Sequence, residues 1–346
     1  MRKLCILFLL FGTLCIQPRA IDLQTPSVPS SGSQWMPDQQ ENLLEGIWQV
    51  LQKALYSFSP ALKEAGKSCA GVFCIAMLLC IFQLLTTKDA TSAIQMLAMV
   101  TISLMLLTTS SSLILQAGET ATEMSEYAKL LLPVMTAGMS AQGCVTSSAA
   151  LYAGSSVFIA LLSSLISQYL APMVNVYLAV AATSAVIQND LLYGICKTLK
   201  SVVTWLLKML LYVFTGFITV TGVISGSADA LTVKAAKLTI SGMVPVVGSI
   251  LSDASETIIL GAGIMKNSVG IYGLFAVVAI CVLPFLNIGA QYLMLKLTSM
   301  GCSAFSKPCS VLIQDFASAM GLLLGMIGTL CIMLMLGIVC FIKGVG

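Results

Sequence analysis

An all-α fold, a polytopic transmembrane helical bundle, is what this chain of 346 residues predicts, and three observations carry the prediction. First, six long stretches hold no charged residue: Ser68–Thr87, Ala90–Gly118, Leu130–Asn189, Met209–Ala228, Asn267–Leu295 and Phe316–Ile342. About 20 apolar helical residues cross a hydrocarbon layer roughly 30 Å thick, so five stretches hold about one span each and Leu130–Asn189 holds two or three. The total is about seven or eight spans. Second, 58% of residues are apolar and 9% charged, against about 25% charged in an ordinary soluble domain. A water-soluble domain of this composition would expose large apolar patches. Third, runs such as Phe73–Leu85 and Leu322–Ile342 are apolar without alternation, which excludes a membrane β-barrel.

Taken in order, the chain begins with Arg2 and Lys3, an apolar core Leu4–Ile16, and Gln17-Pro18-Arg19-Ala20. This reads as a signal peptide over residues 1–20, because the core is too short to span a bilayer; a retained anchor is the alternative. Residues 21–67 form a polar extracytoplasmic tail. Its Pro- and Ser-rich start, through Asp38, argues against packed structure. Within the tail, Leu43, Leu44, Ile47, Trp48, Leu51, Leu55 and Phe58 recur near helical spacing, which predicts a short amphipathic helix. Residues 68–346 form the multi-span domain. Spans are predicted near Ser68–Thr86 and Ile94–Gln116, followed by an acidic connector with Glu119, Glu123 and Glu126. Pro133, Gly138, Gly143 and Pro172 then break Leu130–Asn189 into a short or re-entrant element at Leu130–Gln142 and spans near Ser148–Ser167 and Leu170–Gln188. Further spans lie near Val202–Ile224, Val269–Met294 and Ala317–Ile342. Lysines favour one side of a membrane. Placing Lys88, Lys197, Lys200 and the Lys296–Lys307 loop together requires Leu130–Asn189 to cross three times, giving eight spans; with two crossings Lys197 and Lys200 fall on the other side.

Gly226–Lys266 differs from the other connections. It carries most of the charge in the second half of the chain around an apolar corner, Gly242-Met243-Val244-Pro245-Val246-Val247-Gly248. Asp253 and Glu256 have capping-box spacing, so a helix is expected to start there. Two short helices about such a corner predict a re-entrant helical hairpin, which is allowed at membrane depth only where protein or a wet cavity covers it. Asp229, Lys234, Lys237, Asp253, Glu256 and Lys266 then line a polar passage or a docking surface. The alternative is an interfacial loop whose charges are solvated.

Several functions are excluded by residue type. The chain has no histidine, which removes Ser–His dyads, His-ligated metal sites and histidine general bases. No Gly-rich Lys/Ser phosphate loop occurs, and no catalytic residue, cofactor or metal site is predicted. The twelve cysteines sit mostly in apolar runs and read as small hydrophobes. A net charge of +3 without a Lys/Arg cluster gives no reason to expect nucleic acid.

Gly216-Phe217-Ile218-Thr219-Val220-Thr221-Gly222, the Asp229–Lys237 segment, Pro245-Val246-Val247-Gly248, Ser252-Asp253-Ala254 and Lys266-Asn267-Ser268-Val269-Gly270 together resemble the stage III sporulation protein AE family. The resemblance is most specific over Leu191–Phe305. It implies a non-enzymatic component of the transport or channel complex between mother cell and forespore in endospore formation. It also implies a place in the mother-cell membrane surrounding the forespore. The partners it implies are a secretion-type ATPase, ring-forming membrane proteins and a forespore membrane protein, all at a lipid bilayer. The expected result is support of late forespore gene expression. An independent secondary transporter of a small solute is the alternative, since prolines could break helices near the membrane midplane.

Overall fold

A computed structural model describes residues 26–36, 43–85, 88–141, 145–220 and 268–345. The signal segment 1–20 and the charged connection Gly226–Lys266 lie outside these residues, and so do Asp229, Lys234, Lys237, Asp253, Glu256 and Lys266. The described residues are helical throughout apart from short turns. A short α1, Ser30–Ser33, precedes α2, Leu43–Leu85, and α3, Lys88–Ala141. Next come α4, Val145–Leu165, a π turn at Ile166–Leu170, and α5, Ala171–Ile187, which together make one continuous helix. The last three are α6, Asp190–Val220, α7, Ser268–Ser303, and α8, Lys307–Val345.

Contacts fix the directions. Gly46, Gly66 and Phe73 of α2 meet Phe275, Met294 and Gly301 of α7 at a near-constant offset, so those two helices run parallel. Met124, Leu131 and Met135 of α3 meet Cys281, Gly273 and Gly270 of α7, an antiparallel order. α8 is antiparallel to α7 (Ser310 with Ser299, Ile342 with Gly270) and to α4–α5 (Gly337 with Ser155, Asp315 with Tyr177). The result is an up-and-down bundle with α8 inside it, packed against α3, α4, α5, α6 and α7.

Six helices are long and apolar enough to cross a membrane among the described residues, where the sequence predicts seven or eight spans. The difference falls in Leu130–Asn189. Leu130–Ala141 is not a separate re-entrant element but the end of the 54-residue α3, and the two spans expected after it are one helix. Pro133 and Pro284 sit inside continuous helices, as prolines can where neighbouring helices cover the freed carbonyls. Leu130–Asn189 therefore crosses once and not three times, and a single crossing, odd like three, still leaves the lysines on one side. Met99 against Cys309, Phe73 against Phe305, and Lys200 against Ser318 gather the α2–α3, α5–α6 and α7–α8 turns at one end of the bundle.

Two more expectations change. Glu119, Glu123 and Glu126 are not in a connector but inside α3. The Pro/Ser segment is packed, at least over residues 26–36: Trp35 is buried, Gly32 lies against Ile280, and Ser31 bonds Glu123. The amphipathic stretch from Leu43 and the first span form a single helix.

The turns follow local rules. α5 ends at Gln188 in the left-handed region (φ 56°), whose N–H bonds the Ser184 carbonyl. Asn189 Oδ1 then accepts from the Leu191 N–H at 2.8 Å, capping α6. Helix lengths exceed a bilayer core: 39 residues of α8 rise about 58 Å against roughly 30 Å of hydrocarbon. Large apolar side chains on the outer surface, among them Leu78, Leu97, Leu104, Val157 and Tyr212, suit lipid contact.

Candidate functional site

Polar side chains on the bundle concentrate in two clefts. Their positions follow from a stagger between the charge-free stretches of different helices. In α2 and α3 these stretches lie toward the end that holds the Lys88 turn; in α7 and α8 they lie toward the opposite end. Met294 against Gly66 and Cys281 against Met124 show the consequence. The Lys63–Lys67 and Glu119–Lys129 segments lie beside charge-free turns of α7. Ionisable groups therefore occur along the bundle, wherever the hydrocarbon layer is placed upon it.

The basic cleft, about 570 Å³, opens between α5, α6 and α8. Lys197, Lys200 and Lys208 line it, with Lys197 and Lys208 separated by three turns of one helix face. The adjoining face of α6 buries Val203, Leu207, Leu211 and Phe214, so Lys200, at its edge, is half-buried while Lys197 and Lys208 are exposed. At the floor, Tyr177 Oη donates to Asp315 Oδ1 at 3.3 Å, and Lys200 Nζ donates to Ser318 Oγ at 3.1 Å. Asp315 and Ser318 are one turn apart on α8 and so present side chains to the same cleft. Trp205 and Tyr193 stand at its rim, 60% and 53% exposed.

The acidic cleft, about 640 Å³, lies between α3 and the π turn with the start of α5. Glu119 and Glu123, one turn apart, face Ser167 and Asn175 across it. Ser31 Oγ donates to Glu123 Oε2 at 2.5 Å. The π turn has a local cause. Pro172 lacks an N–H, and the Ala171 N–H bonds back to the Ile166 carbonyl, five residues earlier. Ser167 Oγ donates to the Ser163 carbonyl at 3.0 Å within the widened turn, and Ser163 itself donates to the Ala121 carbonyl at 2.8 Å, tying α4 to α3.

No three His, Cys, Asp or Glu side chains converge into a metal-sized cluster among the described residues. Cys302 and Cys309 are both buried free thiols. The residues in the two clefts differ from those singled out in the sequence, which lie outside the described residues. Lys197 and Lys200 served there only as markers of membrane side, and Glu119 and Glu123 as loop charges. Their helical spacing was a usable signal. Nothing local could pair Asp315 with Tyr177, 138 residues away.

The fold and its clefts define a multi-pass α-helical membrane protein with ionisable groups carried on apolar helices. Comparison with known proteins narrows the class: residues 34–344 match the stage III sporulation protein AE family, and the chain belongs to it. A curated relative, stage III sporulation protein AE of Bacillus subtilis (strain 168), is 24% identical over 184 residues, which are 53% of this chain and 46% of the relative. The match thus spans about half the length of that relative. No solved structure matches the chain. The family is a sporulation family, so a role in sporulation follows from membership.

Proposed function

We propose that this protein is a non-enzymatic, membrane-embedded component of the transport complex joining mother cell and forespore, sited in the mother-cell membrane around the forespore. In that role it supports late forespore gene expression alongside a secretion-type ATPase, ring-forming membrane proteins and a forespore membrane protein. The observation that supports the reading best is the acidic cleft: two carboxylates beside a π turn, on a helix otherwise apolar enough to cross a bilayer. Ionisable groups in membrane helices are expensive and mark polar pathways more often than structural accidents. Family membership supplies the sporulation setting.

The test is the double substitution Glu119→Gln, Glu123→Gln in a sporulating host that depends on this chain. A late forespore reporter should fall while co-purification with the ATPase persists. A reporter at the unsubstituted level, with assembly intact, would reduce the protein to a passive scaffold. A second reading, an independent secondary transporter, draws on the π turn, a local break in a membrane helix of the kind that transporters use at binding sites. Solute movement by the purified chain alone in vesicles would favour it.

A further inference from the structure

The basic cleft has the features of a ligand site that the transport reading leaves unused. Three ammonium groups line it against a single carboxylate, so it carries a net excess of two positive charges. The one carboxylate, Asp315, is occupied by the Tyr177 hydroxyl, and Lys200 is steadied by Ser318 on the floor. Lys197 and Lys208 are exposed and free to point at a ligand from either end. The volume of about 570 Å³ exceeds what a phosphate needs and suits a phosphate with its glycerol or other headgroup.

The rim defines the rest of the ligand. Trp205 and Tyr193 flank the opening, and the same outer side of α6 shows Val202 and Met209, 39% and 48% exposed. Amphipathic aromatic rings beside lysines are the side chains found at headgroup depth in a bilayer. Basic pockets between transmembrane helices take the headgroups of anionic lipids. An anion in the cleft would thus have apolar surface directly outside it on which acyl chains can lie.

We propose that the cleft between α5, α6 and α8 binds a phosphate-bearing anion, with Lys197, Lys200 and Lys208 as its ligands and the headgroup of an anionic phospholipid as the form that uses the whole site. Ser201, also on the lining, adds a hydroxyl donor to the phosphate oxygens. The proposal does not rest on the transport role and is tested on the purified full-length chain.

The experiment delipidates the protein in neutral detergent, returns phosphatidylglycerol or phosphatidylcholine at equal concentration, and counts retained lipid by native mass spectrometry. Phosphatidylglycerol should be retained over phosphatidylcholine. Each of Lys197→Gln and Lys208→Gln should weaken retention about fivefold, and the triple Lys→Gln variant should abolish the preference. Lys63→Gln with Lys67→Gln on α2, outside the cleft, should leave retention unchanged. Lys→Arg at all three cleft positions keeps the charge and should keep the lipid, which separates loss of the site from loss of the fold. Inorganic phosphate supplies the second arm: displacement of the lipid by millimolar phosphate assigns a free anion as an equal occupant, and lack of displacement assigns the lipid. Equal retention of both lipids, or equal losses from the cleft and control variants, overturns the proposal.

Discussion

α8 and α6 are both long and apolar enough to cross a membrane, and they end in opposite surroundings. The most apolar 18-residue stretch of α8 is 83% buried inside the protein, whereas that of α6 is 28% buried. Mean hydropathy ranks them in the same order, 2.6 for α8 and 1.7 for α6, yet lipid and protein interior are nearly equivalent solvents for a leucine, so apolarity alone does not choose between them. Shape contributes the rest. α8 carries small residues where neighbours approach: Gly321 lies against Tyr292 of α7, and Gly337 against Ser155 of α4. The Gly321–Gly325 spacing, which could have served contact between protomers, meets α7 of the same chain at Gly321. On α6, Gly194 and Gly216 have no neighbouring atom within 4 Å of where a Cβ would stand. A membrane helix becomes central by being apolar on every side and by letting other backbones close.

The largest test of this contrast truncates a buried side chain on α8. Phe316→Ala should cost about 3–5 kcal/mol, read as a lowered unfolding midpoint in detergent, because the cavity is enclosed. Met209→Ala on α6 should stay within about 0.5 kcal/mol, since lipid refills the space. Similar losses at both positions would erase the distinction between the two helices.

Glycines offer a second measure, in which the sign changes. A Cβ at Gly273 of α7 would stand 2.8 Å from Leu131 Cδ2, so Gly273→Leu should destabilise by about 1–3 kcal/mol. Gly216→Ala on α6 should raise helix stability by up to about 1 kcal/mol, because nothing opposes the added methyl group. Thermal unfolding of the two variants side by side decides it.

Smaller effects sharpen the picture at the basic cleft and on the surface. Tyr177→Phe removes a donor from Asp315 and should cost about 1 kcal/mol, with the helical circular dichroism spectrum unchanged. A lipid-soluble maleimide should label Cys74, which is exposed on α2, well before Cys302 or Cys309, which are buried at the α7–α8 turn. Equal labelling rates would place the α7–α8 turn at the surface.

Much of the architecture was legible in the sequence. The charge-free stretches identified helical membrane character and the regions that hold α2, α3, α6, α7 and α8. The break between α5 and α6 was marked by Asn189 and Asp190, which end a charge-free run and cap the next helix. The errors within the long helices have one origin: proline and charge were given too much power to end a helix. Pro133 and Glu119–Glu126 lie within α3 because neighbouring helices cover its backbone and the glutamates face the outer surface or a cleft. Pro172 produced a π turn where a span end was expected, since shifting one hydrogen bond costs less than ending a helix away from water. Of the polar sites, the lysine face of α6 could have been read from spacing. The acidic cleft could be read only in part, because its second wall comes from α5.

By itself the sequence determined that this protein lives among lipids, that it is helical, and that histidine chemistry is closed to it, because these properties depend on residue type and run length alone. Only the tertiary structure decided how closely its neighbours would pack on α8, that one long helix would do the work of three short ones, and that Asp315, Tyr177 and Lys200 would meet. Those outcomes depend on how closely backbones far apart in the chain can approach, and that is settled by the fit between side chains on different helices.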